Sequence, residues 1–283
     1  MRAGAQAPLG RMLGNALAIL LTIWIALVVA LPIVWLVLTS FKSGPDIVSQ
    51  QPVFVFTPTL ENYLAIAQGG GAPIIGAMIN SIVVSLVSTI ISVMLAAMAA
   101  YSLARLRPPG HQFLGLAIFG ARMLPPVALV IPLFLAANWI GQLDTRLSLI
   151  VPYIALSIPL GTWMLQGFFL DLPKELEEAA LVDGAGHLQA FLRVILPLAG
   201  PGLAAVSIFS FSLSWNDLVL ALPLTSDRAI TLPVIASRIR TDEGILWGQL
   251  GAITTIIMLP MLIFTFIVQR WLIRGLTAGA VKG

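Results

Sequence analysis

The sequence predicts an all-α, polytopic membrane protein with six transmembrane helices, and three observations support this class. The chain of 283 residues is 59% hydrophobic and 10% charged, with a mean hydropathy of +1.00. A soluble domain carries about 25% charged residues, so this composition excludes an ordinary soluble protein. Six apolar stretches are long enough to cross a bilayer, and one polar segment interrupts them. We therefore interpret residues 1–283 as a single transmembrane domain.

Each predicted transmembrane helix is an apolar run of about 20 residues or more, the length that crosses a hydrocarbon core. The six runs cover residues 15–39, 77–103, 112–137, 147–169, 201–222 and 249–271. The first follows Arg2 and Arg11, as a secretory signal would, but its length favours an uncleaved helix. Prolines inside the runs remove backbone hydrogen bonds and predict kinks. They are Pro32, Pro125, Pro126, Pro132, Pro152, Pro159 and Pro260.

The Lys and Arg residues of the loops predict the orientation of the chain. With the amino terminus in the cytoplasm, the inner face holds Arg2, Arg11, Arg105, Arg107, Lys174, Arg193, Arg270, Arg274 and Lys282. The outer face then holds the smaller set Lys42, Arg146, Arg228, Arg238 and Arg240. Both termini, the tail 272–283 and the polar segment are thus predicted to be cytoplasmic. Loops 41–76 and 225–248 are predicted to be external.

The polar segment, residues 171–200, reads DLPKELEEAALVDGAGHLQAFLRVILPLAG. Asp171 and Pro173 suit the start of a helix, which predicts a short helix over 174–182. A bilayer gains no stability from such a polar segment, so we expect it to contact a partner in water. We call residues 171–200 the coupling segment.

The second half of the coupling segment predicts a turn and another helix. Asp183-Gly184-Ala185-Gly186 ends the first helix, because glycine adopts the backbone conformations of helix ends and tight turns. A helical run over 187–196 follows, and Pro197 comes after it. Three- and four-residue spacing places Leu188, Phe191, Leu192 and Ile195 on one predicted face.

Three parts of this segment together resemble the EAA loop in the membrane subunits of binding-protein-dependent ABC importers. They are Glu178-Ala179-Ala180, Asp183-Gly184-Ala185 and Ile195-Leu196-Pro197. The resemblance implies a type I ABC importer permease fold, whose cytoplasmic coupling helices lie between helices 4 and 5 and sit in a cleft on an ATPase subunit. The chemistry agrees, because small Ala side chains permit close docking and a carboxylate can pair with a basic partner. An ordinary capped loop is the alternative.

Further motifs resemble the carbohydrate branch of that family, in particular the smaller, six-helix permease of maltose-type importers. They are Ser214-Trp215-Asn216-Asp217, Thr231-Leu232-Pro233-Val234 and the ending from Gly275 to Gly283. The resemblance implies four partners besides membrane lipid: a second, larger permease, a dimer of ATPase subunits, a soluble binding protein and a sugar, polyol or charged glycoside. It implies a bacterial inner membrane and no nucleic acid.

The chain is predicted to lack enzymatic activity of its own. It contains no Gly-x-x-x-x-Gly-Lys-Ser/Thr phosphate-binding loop, so no cofactor is expected on this chain. By resemblance, ATP and Mg²⁺ belong to the partner ATPase subunits. Cys is absent, and His111 and His187 lack the spacing of a metal site. The alternative function is an ion-coupled secondary transporter of a small polar solute, although Asp217 is the sole acid in a predicted span.

Five residues are candidates for the substrate path: Arg122, Tyr153, Trp215, Asn216 and Asp217. An arginine inside a span is costly, so Arg122 is a candidate functional residue. It either binds solute hydroxyls or an anionic group, or pairs with Asp217 or with helix carbonyls. Trp215, Asn216 and Asp217 supply the aromatic face and planar polar groups of a sugar site, or else anchor the membrane interface.

Loop 225–248 is the candidate surface for protein contact. Arg228, Arg238 and Arg240 give it charge that suits electrostatic docking. The resemblance implies that this loop contacts the binding protein. A solvated connector is the alternative.

Overall fold

In a computed structural model, the protein is mostly helical. The structure describes residues 7–68, 74–241 and 244–280, and side chains over the slightly shorter ranges 14–68, 74–239 and 244–271. Parts of the predicted outer loops 41–76 and 225–248, the end of the tail 272–283, Arg2 and Lys282 lie outside the described residues.

Over the residues that the structure describes, the secondary structure consists of α-helices, two π-helical turns, one 3₁₀ turn and one small hairpin. The α-helices are α1 (Ala7–Ser40), α2 (Gly44–Ile47), α3 (Glu61–Gln68), α4 (Ile74–Tyr101), α5 (His111–Gly120), α6 (Pro126–Trp139), α7 (Leu147–Asp171), α8 (Glu175–Val182), α9 (His187–Ala190), α10 (Leu196–Leu198), α11 (Gly200–Trp215), α12 (Ala221–Leu224), α13 (Leu232–Ser237) and α14 (Trp247–Ala280). π-Helical turns follow α4 (Ser102–Leu106) and α9 (Phe191–Ile195), and a 3₁₀ turn follows α5 (Ala121–Met123). Strands β1 (Arg240–Thr241) and β2 (Gly244–Ile245) pair antiparallel.

Among the described residues, four helices are long and apolar enough to cross a membrane by themselves. They lie in α1, in α4 with its π turn, in α7 and in α14. Two further candidates are bent pairs: residues 111–123 with α6, at 91°, and residues 187–198 with α11, at 79°. Counting each bent pair as one span gives up to six spans by length and composition, the number that the sequence predicts, although the second pair includes residues 187–198 of the coupling segment.

The third and fifth predicted spans differ from straight helices. The third, predicted over 112–137, breaks at Leu124, whose φ of −70° and ψ of 118° are extended. The residue before a proline avoids the α region, and Pro125 and Pro126 follow here. The fifth, predicted to reach residue 222, ends at Trp215 because the Asp217 carboxylate accepts backbone N–H groups from Leu220 and Ala221. Such side-chain bonds to nearby backbone compete with a continuing helix.

The contacts within the chain form two compact units. Unit 1 comprises residues 1–69 and 239–256, and unit 2 comprises residues 70–238 and 257–283. In unit 1, Asn62 donates from Nδ2 to the carbonyls of Ser40 and Lys42, at 3.0 and 2.9 Å. The Lys42 side chain is buried, and its Nζ lies 3.9 Å from the centre of the Trp35 ring. The single transmembrane domain stays a prediction.

Unit 2 is built on α4, α7 and α11, which pack against one another. Gly161 of α7 lies where a Cβ atom would come within 2.9 Å of both Ala96 on α4 and Val206 on α11. Other small residues at these contacts are buried: Ala97, Ala100, Ser210 and Ser214. Small side chains let membrane helices approach closely, as expected for α4 and α11. The coupling segment packs against this three-helix core, and α7 and α11 line a polar cleft.

Candidate functional site: the coupling segment and a polar cleft

The coupling segment folds as the sequence predicts at the level of helix, turn and helix. α8 starts at Glu175, one residue after the predicted start, and ends at Val182. Gly184 then adopts a φ of +86°, in the left-handed region that glycine favours. The chain continues through α9, the π turn Phe191–Ile195 and α10.

One face of the coupling segment is open to solvent. Glu178, Ala179, Asp183, Gly184 and Pro197 are exposed, while Ala180 and Ala185 are half-buried. This face also exposes large apolar side chains: Leu176, Val182, Leu188 and Leu192, with Val182 86% exposed. We call it the docking face.

The opposite face of the segment is packed into unit 2. Glu177, Ala190, Phe191 and Ile195 are buried there. The prediction that Leu188 and Leu192 share a face with Phe191 and Ile195 is wrong, because both leucines are at least 50% exposed. The π turn over 191–195 places more residues in each turn than an α-helix does and so separates the two pairs.

A buried ion pair fastens this packed face to the end of α4. Arg105 Nε lies 3.7 Å from Glu177 Oε2, and their side chains are only 4% and 10% exposed. Arg105 also donates from Nη2 to the Leu172 carbonyl at 2.6 Å, and the Tyr101 hydroxyl donates to Glu177 Oε1 at 2.5 Å. The sequence alone did not predict this cluster of Tyr101, Arg105 and Glu177. The available signal was the four-residue spacing of Tyr101 and Arg105, which places both on one side of a helix end.

The Tyr101 ring extends the same attachment to the second half of the segment. Its centre is 4.7 Å from the Phe191 ring and 6.3 Å from the Phe169 ring. Its hydroxyl also lies 3.5 Å from the His187 carbonyl. Both halves of the coupling segment therefore contact one residue of α4.

Three of the five substrate-path candidates line one cleft, formed by α7, α11 and the bend between α5 and α6. Two neighbouring cavities of about 280 and 250 Å³ share Arg122, Leu156 and Leu213 in their walls. Asn216 lines the larger cavity and Asp217 the smaller. The cleft thus presents a guanidinium, an amide and a carboxylate in apolar surroundings, the arrangement of many small-molecule sites.

Arg122 bonds a helix carbonyl in this cleft. Its Nη1 donates to the Leu156 carbonyl at 3.3 Å, which corresponds to the carbonyl alternative considered from the sequence. Within the described residues, Arg105 and Glu177 form the sole ion pair, so Arg122 is not paired with Asp217. The exposed guanidinium keeps further donors toward the cleft.

Tyr153 and Trp215 support the cleft from behind. Buried Tyr153 donates its hydroxyl to Asp217 Oδ2 at 2.8 Å and so fixes the carboxylate. Trp215 is 1% exposed, donates its indole N–H to the Ile257 carbonyl at 3.0 Å and stacks on Phe211. The prediction that Trp215 offers an aromatic face to a solute is wrong in this structure, because a buried indole uses its face and its N–H in packing.

At the other end of α7, a carboxylate holds the loop between α12 and α13. Asp144 has a φ of +55°, and its carboxylate accepts backbone N–H groups from residues 226, 227, 228 and 229 at 2.9 to 3.2 Å. Partial burial would raise the pKa of Asp144, but these four donors outweigh that effect and hold the pKa well below its usual range. The sequence analysis did not single out Asp144. We call residues 225–231 the Asp144 loop.

Asn80 of α4 fastens the same loop from a second direction. Its Nδ2 donates to the carbonyls of Arg228 and Ile230, both at 2.9 Å, and its Oδ1 accepts from Arg146 Nε at 2.8 Å. The predicted contact residues Arg228 and Arg238 are exposed. The Arg240 side chain lies outside the described residues. The loop backbone is thus fixed while the Arg228 side chain is exposed, and Arg238, beyond the loop, donates from Nη1 to the Ser226 carbonyl at 3.4 Å.

The comparisons with known proteins agree with this architecture. Residues 92–278 match the family model described as a binding-protein-dependent transport system inner membrane component. A trehalose transport system permease of Mycobacterium tuberculosis is 40% identical, covering 89% of this chain and 92% of the relative. A trehalose/maltose transport system permease of Thermococcus litoralis is 32% identical, covering 96% and 98%.

A solved structure gives the same fold. One chain of a bacterial ABC transporter that imports the acidic polysaccharide alginate matches with a TM-score of 0.75 at 24% identity, covering 95% of this chain and 99% of that chain. At 24% identity, this similarity shows the fold alone. From the family model and the relatives together, the chain belongs to the family of inner membrane components of binding-protein-dependent transport systems.

Proposed function

We propose that this chain is a permease subunit of an ATP-driven importer for a sugar or sugar-like solute, coupled to a separate ATPase through the coupling segment. The observation that carries the proposal is the docking face. It is an exposed surface of an otherwise packed segment, on a chain of this transport family. The relatives named for trehalose and maltose transport support a sugar, polyol or charged glycoside as the solute.

The docking face has the chemistry of a protein contact. Exposed Leu176, Val182 and Leu188 are too apolar to be stabilised by water, and such patches mark interaction surfaces. Glu178 and Asp183 place acidic groups beside them for a basic partner. Ala179 allows the partner to approach the helix closely.

The proposed assembly supplies what this chain does not. A dimer of ATPase subunits binds ATP and Mg²⁺, a second and larger permease completes the pathway, and a soluble binding protein delivers the solute. The membrane is a bacterial inner membrane with both termini in the cytoplasm, because the basic residues favour that orientation. Two exposed arginines, Arg228 of the Asp144 loop and Arg238 just after α13, then face the binding protein.

The polar cleft is the proposed wall of the solute path. Arg122 and Asn216 can donate hydrogen bonds to solute hydroxyls, and Asp217 can accept them. Its cavities of about 280 and 250 Å³ are at or below the range of about 300–1,000 Å³ that is usual for complete ligand sites, so one subunit contributes part of the path.

Co-purification and uptake together test the proposal. The tagged chain, extracted in mild detergent from cells that express its neighbouring genes, should bring down an ATPase subunit. Proteoliposomes of that complex, given the binding protein, should accumulate trehalose or maltose with ATP inside and not with an ion gradient alone. Absence of an ATPase from the purified chain, or uptake driven by an ion gradient without ATP, would overturn the proposal.

A further inference from the structure

We infer that Glu177, Arg105 and Tyr101 form the joint that carries movement of the coupling segment into the membrane helices. This inference rests on the proposed function and names the residues that transmit force within it. Glu177 is the residue next to Glu178, yet their environments are opposite. Glu178 is exposed on the docking face, whereas Glu177 is buried against α4. Successive helical residues point about 100° apart, so one short helix can present one acid to a partner and the other to its own bundle.

The joint connects three elements through two side chains. Glu177 belongs to α8, Arg105 belongs to the π turn that ends α4, and the Leu172 carbonyl that Arg105 binds follows the last residue of α7. The Tyr101 hydroxyl donates to Glu177 Oε1 at 2.5 Å, and Arg105 Nη2 donates to the Leu172 carbonyl at 2.6 Å. Arg105 Nε and Glu177 Oε2, 3.7 Å apart, attract each other by charge without a hydrogen bond. Because the ion pair is almost fully buried, water cannot replace the lost partner when α8 moves away.

A second contact to Tyr101 keeps the coupling segment from bending at its Gly184 turn when the docking face is displaced. The Gly184 turn separates α8 from α9 and is exposed, so it would otherwise be the place where the segment bends. Phe191, beyond that turn, packs against the same Tyr101 that bonds Glu177. Both halves are therefore fixed to one residue, and displacement of the docking face is passed to α4.

The position of the joint suits conversion of movement into helix rearrangement. α4 packs against α7 and α11, the helices that form the polar cleft. The π turn that carries Arg105 is a local defect of the helix, and such defects occur frequently at functional sites. Displacement of Glu177 is thus transmitted through α4 to α7 and α11, the core helices that border the proposed solute path.

Two variants and a matched control test the joint in the complete reconstituted transporter. Glu177→Gln removes the buried charge, and Tyr101→Phe removes one hydroxyl while keeping the ring against Phe191. Glu175→Gln removes an exposed acid from the same helix and is the control. We expect both variants to retain the ATPase subunit and to hydrolyse ATP, while solute moved per ATP falls about tenfold, within the usual range of coupling between sites. The control should match the wild type.

A distance measurement separates transmission from a merely structural role. The natural chain has no Cys, so spin labels can be placed at Glu175→Cys and Leu106→Cys, both exposed positions on the two sides of the joint. In the wild-type background, the distance distribution between the labels should stay narrow and unchanged from the nucleotide-free to the ATP-bound state. In the Glu177→Gln background it should broaden or shift when ATP binds.

The outcomes distinguish the joint from the proposed function. If the wild-type complex shows neither an ATPase partner nor ATP-driven uptake, the proposed function fails. If the wild type transports and Glu177→Gln transports as much per ATP with an unchanged distance distribution, the joint is refuted and the proposed function stands. Should Glu177→Gln not assemble, Tyr101→Phe decides by the same two measurements, because it leaves the ion pair and the ring packing in place.

Discussion

The coupling segment and the Asp144 loop lie at opposite ends of α7, and a carboxylate fastens each of them in a different way. In the coupling segment, the carboxylate belongs to the segment itself, and Glu177 reaches side chains at the end of α4. At the other end, Asp144 lies outside the loop that it holds and binds only backbone N–H groups. The first arrangement joins two helices through side chains, whereas the second fixes the path of a loop whose Arg228 side chain is exposed.

Under the proposed function, the two ends make different kinds of contact. A side-chain ion pair with short hydrogen bonds passes displacement along a defined direction. A carboxylate that accepts several backbone N–H groups, like the caps of helix starts, holds a loop in one shape.

The largest effect should come from breaking the buried ion pair. Arg105→Met leaves Glu177 buried without its cationic partner, and removing one member of such a pair typically costs about 3–5 kcal/mol. We expect a clear fall in the thermal unfolding midpoint of the purified chain. Arg107→Met, which removes a charge from an exposed neighbour in the same region, is the control and should change the midpoint little. Equal midpoints for both variants would contradict the role of the ion pair.

A smaller effect is expected at the Asp144 loop. Asp144→Ala removes the acceptor of four backbone N–H groups, which costs about 1–3 kcal/mol because solvent can reach part of this loop. Amide hydrogen exchange at residues 226–229 should become faster, while exchange in α8 stays the same. Asp227→Ala removes an exposed acid from the loop itself and should leave exchange unchanged. Unchanged exchange in Asp144→Ala would show that Asn80 holds the loop alone.

The stabilisation by Asp144 should depend on pH in one direction only. Because the pKa of Asp144 is lowered in the folded protein, its contribution is fully present above the ordinary aspartate pKa of about 3.9 and is lost as the pH falls below it. The difference in unfolding midpoint between the wild type and Asp144→Asn should be constant from neutral to mildly acidic pH and shrink in strong acid. A difference that grows on acidification would contradict the assigned donors.

The smallest effect should come from the turn of the coupling segment. Gly184→Ala forces an alanine into the left-handed region, which costs about 1 kcal/mol even though no atom lies within 4 Å of the new Cβ. Gly120→Ala is the control, because Gly120 has a φ of −59° and equally open surroundings. Thermal unfolding and transport per ATP should both decline slightly for Gly184→Ala alone. Equal behaviour of the two variants would show that the turn conformation is not needed.

Hydropathy and local motifs predict most of the fold, while contacts distant in sequence account for the differences. The six apolar runs and the helix, turn and helix of the coupling segment are local patterns of period and turn residues. The break at Leu124 follows from Pro125 but its angle does not, because the angle depends on packing. Buried Trp215 donates its indole N–H to the Ile257 carbonyl, 42 residues away, and no local pattern signals this contact.

The candidate sites were predictable to a similar extent. Glu178 and Ala179, which are exposed, belong to a motif that is visible in the sequence, and their docking role stays a prediction. The buried partner Glu177 could not, because its role depends on Arg105, which lies 72 positions earlier, and on helix packing that brings the two together. The role of Asp144 could not be predicted for the same reason. Its hydrogen-bond donors are backbone N–H groups more than 80 residues later, which no side chain in the sequence indicates.

Photo-crosslinking from the docking face tests whether the coupling segment contacts the ATPase subunit. In one variant, a photoreactive phenylalanine analogue replaces Val182, which is 86% exposed on the docking face. In a second variant, it replaces Val219, an exposed apolar residue between α11 and α12. After irradiation of the intact membrane complex, we predict a covalent adduct between position 182 and the ATPase subunit, and none from position 219. An ATPase adduct from position 219 alone, or no adduct from position 182 in a complex that transports, would contradict the assignment of the coupling segment.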